Sequence, residues 1–199
     1  YLSSPESGLF AVNISDLNNP ELVDHVAHSN FTGLAVSENR VYAAGDPFGT
    51  FVYQIEPNGD LLHVETLDAA TEVVVQDGFA YLTPELWLLQ IDLSTGVRRF
   101  IQTGFAQPPR RLKIKNGEIV YRDSIVSIAD PTSPQVVANL QGGDAYFQIE
   151  GVNDFYVGIA ESGKLTTFVD HSPTGDFLTT IDVANLEVIG NDLWAAGYE

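Results

Sequence analysis

The chain has 199 residues, 27 acidic and nine basic, for a formal net charge of −18, with neither cysteine nor methionine. A hydrophobic fraction of 44% can fill a core, so the chain is not disordered overall, and its length suits one domain or two small ones. The missing thiols exclude a disulfide scaffold, a thiolate zinc site and a cysteine nucleophile; the acidity argues against nucleic acid; and no stretch approaches the ~20 apolar residues of a membrane helix, so no membrane insertion is expected.

The sequence opens on Tyr1 and shows no charged and apolar leader, which reads as a processed chain or a domain of a longer one. The absence of cysteine fits an extracytoplasmic location, whether secreted, periplasmic or on the cell surface. Two triplets, Asn13-Ile14-Ser15 and Asn30-Phe31-Thr32, match the glycan acceptor pattern, but such triplets are common by chance.

In chain order, two signals recur. Residues 9–20 hold an apolar strand that ends in the polar turn around Asp16, followed by a second strand. A new unit starts near Thr32, with an apolar strand from Leu34, a tight polar turn and an aromatic strand ending at Tyr42. Phe51 to Asp60 repeats the strand-and-acidic-turn signal, and Leu61 to Leu67 makes a fourth strand. The same order returns from Ala70, through Val73 to Tyr81, Leu86 to Gly96 and Val97 to Thr103. It returns from Arg110, through Leu112 to Tyr121, Ile125 to Pro131 and Gln135 to Leu140. Variants start near Ala145 and Asn185. The pairs Asp77-Gly78 and Asn116-Gly117 predict type I′ hairpins, which need positive φ at both positions.

A period of about 35 to 40 residues with four short strands per unit is the content of a propeller blade. Residues 185–199 supply two strands and residues 1–31 supply the last two, which together complete a blade. The expectation is therefore all-β: one domain over residues 1–199, a five-bladed β-propeller of four-stranded antiparallel blades. The blades are 32–69, 70–109, 110–144, 145–184, and a composite of 185–199 with 1–31 that closes the ring.

The repeat resembles the LVIVD family of short-blade propellers. The matches are Gly8-Leu9-Phe10-Ala11-Val12-Asn13-Ile14-Ser15-Asp16 with Pro20, and Ala129-Asp130-Pro131 with Pro134. The resemblance covers the whole chain with degenerate copies. It implies an extracytoplasmic or surface protein, and it implies a location better than an activity.

On the first strand of each blade one parity is apolar: Leu34/Val36, Val73/Val75, Leu112/Ile114, Phe147/Ile149 and Leu186/Val188. It is expected to pack between blades. The other parity is mixed: Gly33/Ala35/Ser37, Glu72/Val74/Gln76, Arg111/Lys113/Lys115, Tyr146/Gln148/Glu150 and Asn185/Glu187/Ile189. It is expected to face a central channel. One reading has these charges neutralise each other around a water-filled channel. The other has Arg111, Arg110, Glu72, Tyr146, Asp144, Asn185, Glu187 and Lys113 line a ligand pocket at the channel mouth. A slip of one residue in register would exchange the two faces.

Seven of the nine bases lie between Arg98 and Arg122. They either offset neighbouring acids or anchor an acidic ligand or partner. Loops on one rim mix acids with aromatics: Asp46-Pro47-Phe48, Pro84-Glu85-Leu86-Trp87, Arg122-Asp123, Glu161-Ser162, and Tyr198, Glu199 and Tyr1. They suit a sugar or peptide, although Trp87 reads better as the first core residue of its strand. The histidines are His25, His28, His63 and His171. His25 and His28 are three apart and make a poor metal pair on a strand. No metal site or cofactor is expected. Turns such as 170–176 and 15–19 carry oxygens that would suit a structural Ca²⁺, yet ordinary turn chemistry explains them better.

No catalytic motif is present, and short blades leave little loop for a cleft. The leading reading is a non-enzymatic binding or scaffold module, monomeric as a domain. It would recognise a partner protein or a small polar or acidic ligand at the rim and channel mouth. The alternative is a small secreted hydrolase or lyase, glycan-active, working through rim carboxylates. A third reading is a structural spacer within a longer surface protein.

Overall fold

In the computed structural model, residues 1–28, 30–84, 87–102, 112–121, 124–139, 146–152, 155–160, 164–169, 172–178, 182–189 and 192–198 are described. The chain divides into two compact units, Tyr1–Pro108 and Pro109–Glu199. The division falls where the second repeat is expected to give way to the third.

The first unit begins with β1 (Leu2–Ser4), β2 (Gly8–Asn13) and β3 (Glu21–Val26), which form a three-stranded antiparallel sheet. Next come β4 (Phe31–Ser37), β5 (Arg40–Gly45), β6 (Gly49–Ile55) and β7 (Leu61–Leu67), a four-stranded sheet in sequence order. Another follows from β8 (Val73–Gln76), β9 (Phe79–Leu82), β10 (Leu88–Asp92) and β11 (Arg98–Ile101).

In the second unit, β12 (Leu112–Lys115), β13 (Glu118–Tyr121), β14 (Ser124–Ser127) and β15 (Gln135–Asn139) form a third such sheet. A fourth is built from β16 (Tyr146–Val152), β17 (Phe155–Ala160), β18 (Lys164–Val169) and β19 (Ser172–Leu178). The last strands, β20 (Asp182–Ile189) and β21 (Asp192–Tyr198), pair as a hairpin.

Every regular element among the described residues is a strand, and the four internal repeats are four-stranded meanders as their pattern predicts. Two details differ. Residues 1–31 hold three strands instead of two, because Leu2–Ser4 folds back on Leu9 and Phe10. Its short polar sequence carries no alternation from which a strand could be read. In addition, β20 starts at Asp182, three residues before the expected repeat boundary.

Local chemistry fixes the hairpins. Asp77 and Gly78 have φ of 51° and 79°, and Asn116 and Gly117 have 51° and 74°, as type I′ turns require. The corresponding turns after β2, β10 and β14 are held by a carboxylate, whereas after β6 the Asn58 Oδ1 accepts from Asp60 N–H at 3.2 Å. Asp16 Oδ1 accepts from Asn18 N–H at 3.0 Å. Asp92 Oδ1 accepts from Ser94 N–H at 2.8 Å, and Asp130 Oδ1 from Thr132 N–H at 3.0 Å.

The faces of β4–β7 show how the first unit packs. Val41, Ala43 and Tyr53 point to one side, where they meet Phe31, Leu61, and Leu9 and Ala11 of β2. Tyr42, Ala44 and Val52 point to the other, where they meet Val73, Ala80, Leu82, Leu89 and Ile91 of the β8–β11 sheet. Neighbours along each strand thus serve opposite cores, which is the period-two alternation of a sheet covered on both faces.

This arrangement corrects the expected role of the mixed parity. On β4, Leu34 packs on the core toward β2, whereas Ala35 packs on the core toward β8, and Gly33 is buried against the backbone of Thr71 and Glu72. On β12, Lys115 sets its Nζ 5.4 Å from the centroid of the Tyr156 ring on β17. On these two strands the mixed parity therefore meets the next sheet. The reason is geometric: side chains stand perpendicular to a sheet, so sheets stacked side by side cover both parities of the first strand. Val36, expected to pack between blades, is instead 51% exposed.

The second unit repeats the pattern. Val120, Ile125, Tyr156 and Phe168 form a core between the β12–β15 and β16–β19 sheets. The Tyr156 hydroxyl donates to Glu118 Oε2. Burial, reinforced by that carboxylate, raises the Tyr156 phenol well above its usual range. Lys115 and Glu118 face each other across the Asn116-Gly117 turn, so one hairpin presents both charges to the tyrosine.

Candidate functional site

The expected channel-mouth residues are distributed over both units. Glu72, from the first, leads into β8; its N–H donates to Thr83 Oγ1 at 3.1 Å and its carbonyl accepts from Thr83 N–H at 3.2 Å. Lys113 lies on β12 opposite Val120 and is half-buried. Tyr146 is at the start of β16 opposite Ala160, and Asn185 and Glu187 are on β20 opposite Ala196 and Trp194. Arg110, Arg111 and Asp144 lie outside the described residues.

The first unit carries a more definite site on its rim. The β5–β6 turn, the β7–β8 connection and the β9–β10 connection all leave their sheets at the same end. Between them is a depression of about 240 Å³ lined by Asp46, Ala69, Ala70, Thr83, Pro84, Trp87 and Phe100. Trp87 is 42% exposed, so it is a rim residue and not the first core residue of β10; the core begins at Leu88. Phe100, on the edge strand β11, is 63% exposed. Phe48, 52% exposed in the β5–β6 turn, is braced edge-on by His28, their ring centroids 5.7 Å apart.

The depression has a rigid floor. Thr83 is fully buried, and its hydroxyl lies 3.1 Å from that of Thr71, which extends the β8–β9 ladder beneath the rim. Asp68 beside it is ion-paired with Arg98, Nε to Oδ2 at 2.8 Å. That pair belongs to the expected cationic sector, and here an arginine offsets an acid of the neighbouring sheet. The sequence pattern identifies the loop with Trp87 but misses Phe100. Its signal is the alternation on β11, which places Phe100 on the same face as Arg98.

At the opposite end, the β4–β5, β8–β9 and β10–β11 turns enclose a groove of about 520 Å³. Glu38, Arg40, Tyr42, Asp77, Phe79 and Asp92 are among its lining residues. Its carboxylates are largely occupied by their own turns. Asp77 Oδ2 accepts from Gln76 Nε2 at 3.1 Å. Asp92 Oδ1 accepts from the Ser94 hydroxyl at 2.7 Å and the Thr95 N–H at 3.1 Å. These donors, the Ser94 hydroxyl first, hold the Asp92 carboxyl down to about 2.

A folded-state value below the unfolded one, about 4, makes Asp92 stabilising above that pH. The contribution is lost as pH falls from about 4 toward 2. Unfolding midpoints measured between pH 2 and 6 should therefore fall more steeply for the native chain than for Asp92→Asn; parallel curves would show that the turn does not depend on the charge.

The histidines make ring contacts. His25 stacks on Phe10 at 4.4 Å, its Nε2 lying 2.7 Å from Ser7 O. His28 packs on Phe31 and Phe51 at 4.8 and 4.5 Å, and His63 lies 5.5 Å from Tyr53. His171 is outside the described residues. Among the described residues, no group of three or more histidines and carboxylates is arranged to hold a metal. No helix among them is long and apolar enough to cross a membrane.

Four-stranded antiparallel meanders, stacked face to face within each unit, define the class: a fold of the β-propeller type. Solved propeller structures bear this out. The chain is similar to the WD40 β-propeller domain of Doa1 (TM-score 0.66, 9% identity, 84% of this chain and 62% of that one). It is similar to BamB from Moraxella catarrhalis (TM-score 0.66, 14% identity, 96% and 67%). A third similar structure is YCF48 bound to D1 peptide (TM-score 0.61, 14% identity, 89% and 64%). The chain spans about six tenths of the length of the structures it matches. No family model matches it, nor does any curated protein sequence.

Proposed function

We propose that the chain is a non-enzymatic, extracytoplasmic binding module that takes a partner protein on its propeller rim. In this reading it is a five-bladed ring of the LVIVD kind, closed by a blade from residues 185–199 and 1–31. Four complete four-stranded sheets and the absence of cysteine support that frame. The observation that carries the function is Trp87, held on a rim loop over a preformed apolar depression with Phe100 at its side. Exposed aromatics beside a pocket are the residues from which protein interfaces draw most of their energy. YCF48, a protein of similar fold, is known in a structure bound to a peptide.

Selecting displayed random peptides on the native chain tests the reading. Recovered peptides should bind Trp87→Ala about tenfold more weakly, the effect of removing a modest interface anchor. Binders indifferent to Trp87→Ala, or no enrichment at all, would sink the rim as a binding surface.

A further inference from the structure

We propose that the rim depression takes an apolar side chain from an extended segment rich in lysine or arginine, so that the partner is a basic polypeptide. This rests on the rim being a binding surface and adds the chemistry of what it binds.

Size comes first. At about 240 Å³ the depression is smaller than the roughly 300–1,000 Å³ of small-molecule sites, and it suits one large side chain of a chain that continues past it. Ala69, Ala70, Pro84, Trp87 and Phe100 give it apolar walls. Charge comes second. Among the described lining residues Asp46 alone is ionisable; it is exposed, and no described residue hydrogen-bonds its carboxylate. The nearby Asp68 is neutralised by Arg98, so among the described charges at the lip Asp46 is the unneutralised one. At physiological salt the screening length is about 8 Å, so this nearest charge outweighs distant ones.

The wider surface has the same sign. Residues 1–108 carry 14 acids against three arginines, which steers cationic segments inward and repels anionic ones. The faces of Trp87 and Phe100 offer further attraction to an ammonium or guanidinium group beside the anchor.

The test uses the whole chain and three labelled peptides of equal length, read by fluorescence anisotropy. All carry the same leucine and phenylalanine anchors, with lysine, glutamine or glutamate between them. The lysine peptide should bind most tightly and weaken with added salt. Trp87→Ala should raise its Kd about tenfold, and Asp46→Asn about threefold with a shallower salt dependence. Both positions are exposed, and circular dichroism and the thermal midpoint should match the native chain.

If the glutamine or glutamate peptide binds as well as the lysine one through Trp87, or Asp46→Asn changes nothing, the basic partner is wrong while the rim site stands. If lysine-peptide binding ignores Trp87→Ala, it is only general attraction to an acidic surface, and the inference is overturned. If no peptide responds to Trp87→Ala, the rim reading itself falls.

Discussion

Phe31→Ala is expected to lower stability by about 3–5 kcal/mol, the range for emptying a buried phenylalanine site. Phe31 is fully buried at the start of β4, in the core between the β1–β3 and β4–β7 sheets. Its ring also stacks on His28 and lies edge-on to Phe51, their centroids 5.6 Å apart. Truncation therefore opens a cavity and loosens the ladder that braces Phe48 at the rim. The urea midpoint should drop accordingly, and the thermal midpoint by roughly 10 °C. Val36→Ala is the matched control on the same strand. Half-exposed, it should cost about 0.5 kcal/mol or less. Equal costs at the two positions would mean that the sheets do not pack through Phe31.

The strand order was legible because its signals are local. Period-two alternation, the Asp77-Gly78 and Asn116-Gly117 turns and the acidic third turns each depend only on residues within one hairpin. Leu61–Leu67 was readable to the residue. The facing of side chains was not legible, because it depends on what lies beside a sheet. Ala35 and Lys115 share the parity expected to line a channel, yet each meets the next sheet. Trp87 failed for a related reason: an aromatic one residue before an apolar run looks the same whether the strand starts on it or after it. The groove between Glu38, Asp77 and Asp92 joins three turns that are far apart in sequence and adjacent only through the meander topology.

The acidity also changes meaning once placed. Asp16, Asp92 and Asp130 use their carboxylates to hold their own turns. Asp24 links two sheets, accepting from Leu61 N–H at 2.7 Å. These four acids are thus committed to building turns and joining sheets. Asp46 differs because its turn does not use its carboxylate, and that, rather than the total of −18, makes it informative about a partner.

Gly8→Ala should be as damaging as the loss of Phe31, through the backbone instead of a cavity. Gly8 opens β2 with φ of +103°, and a Cβ there would lie 2.1 Å from Val26 O and 2.8 Å from His28 N. Neither neighbour can rotate away, since both are backbone atoms at the end of β3. Relief requires β2 to move, and β2 carries the buried Leu9 and Ala11 into the core with Phe31. Steric displacement and conformational strain together predict a loss of about 3 kcal/mol. Gly78→Ala separates the two contributions. Gly78 has φ of +79°, but a Cβ there meets nothing within 4 Å. It should cost only the conformational part, about 1 kcal/mol. Denaturant midpoints of the two variants, measured side by side, should therefore differ by about 2 kcal/mol in favour of Gly78→Ala. If Gly8→Ala is no worse than Gly78→Ala, the close approach of β2 to the end of β3 is incorrect, and with it the path by which the first sheet enters the Phe31 core.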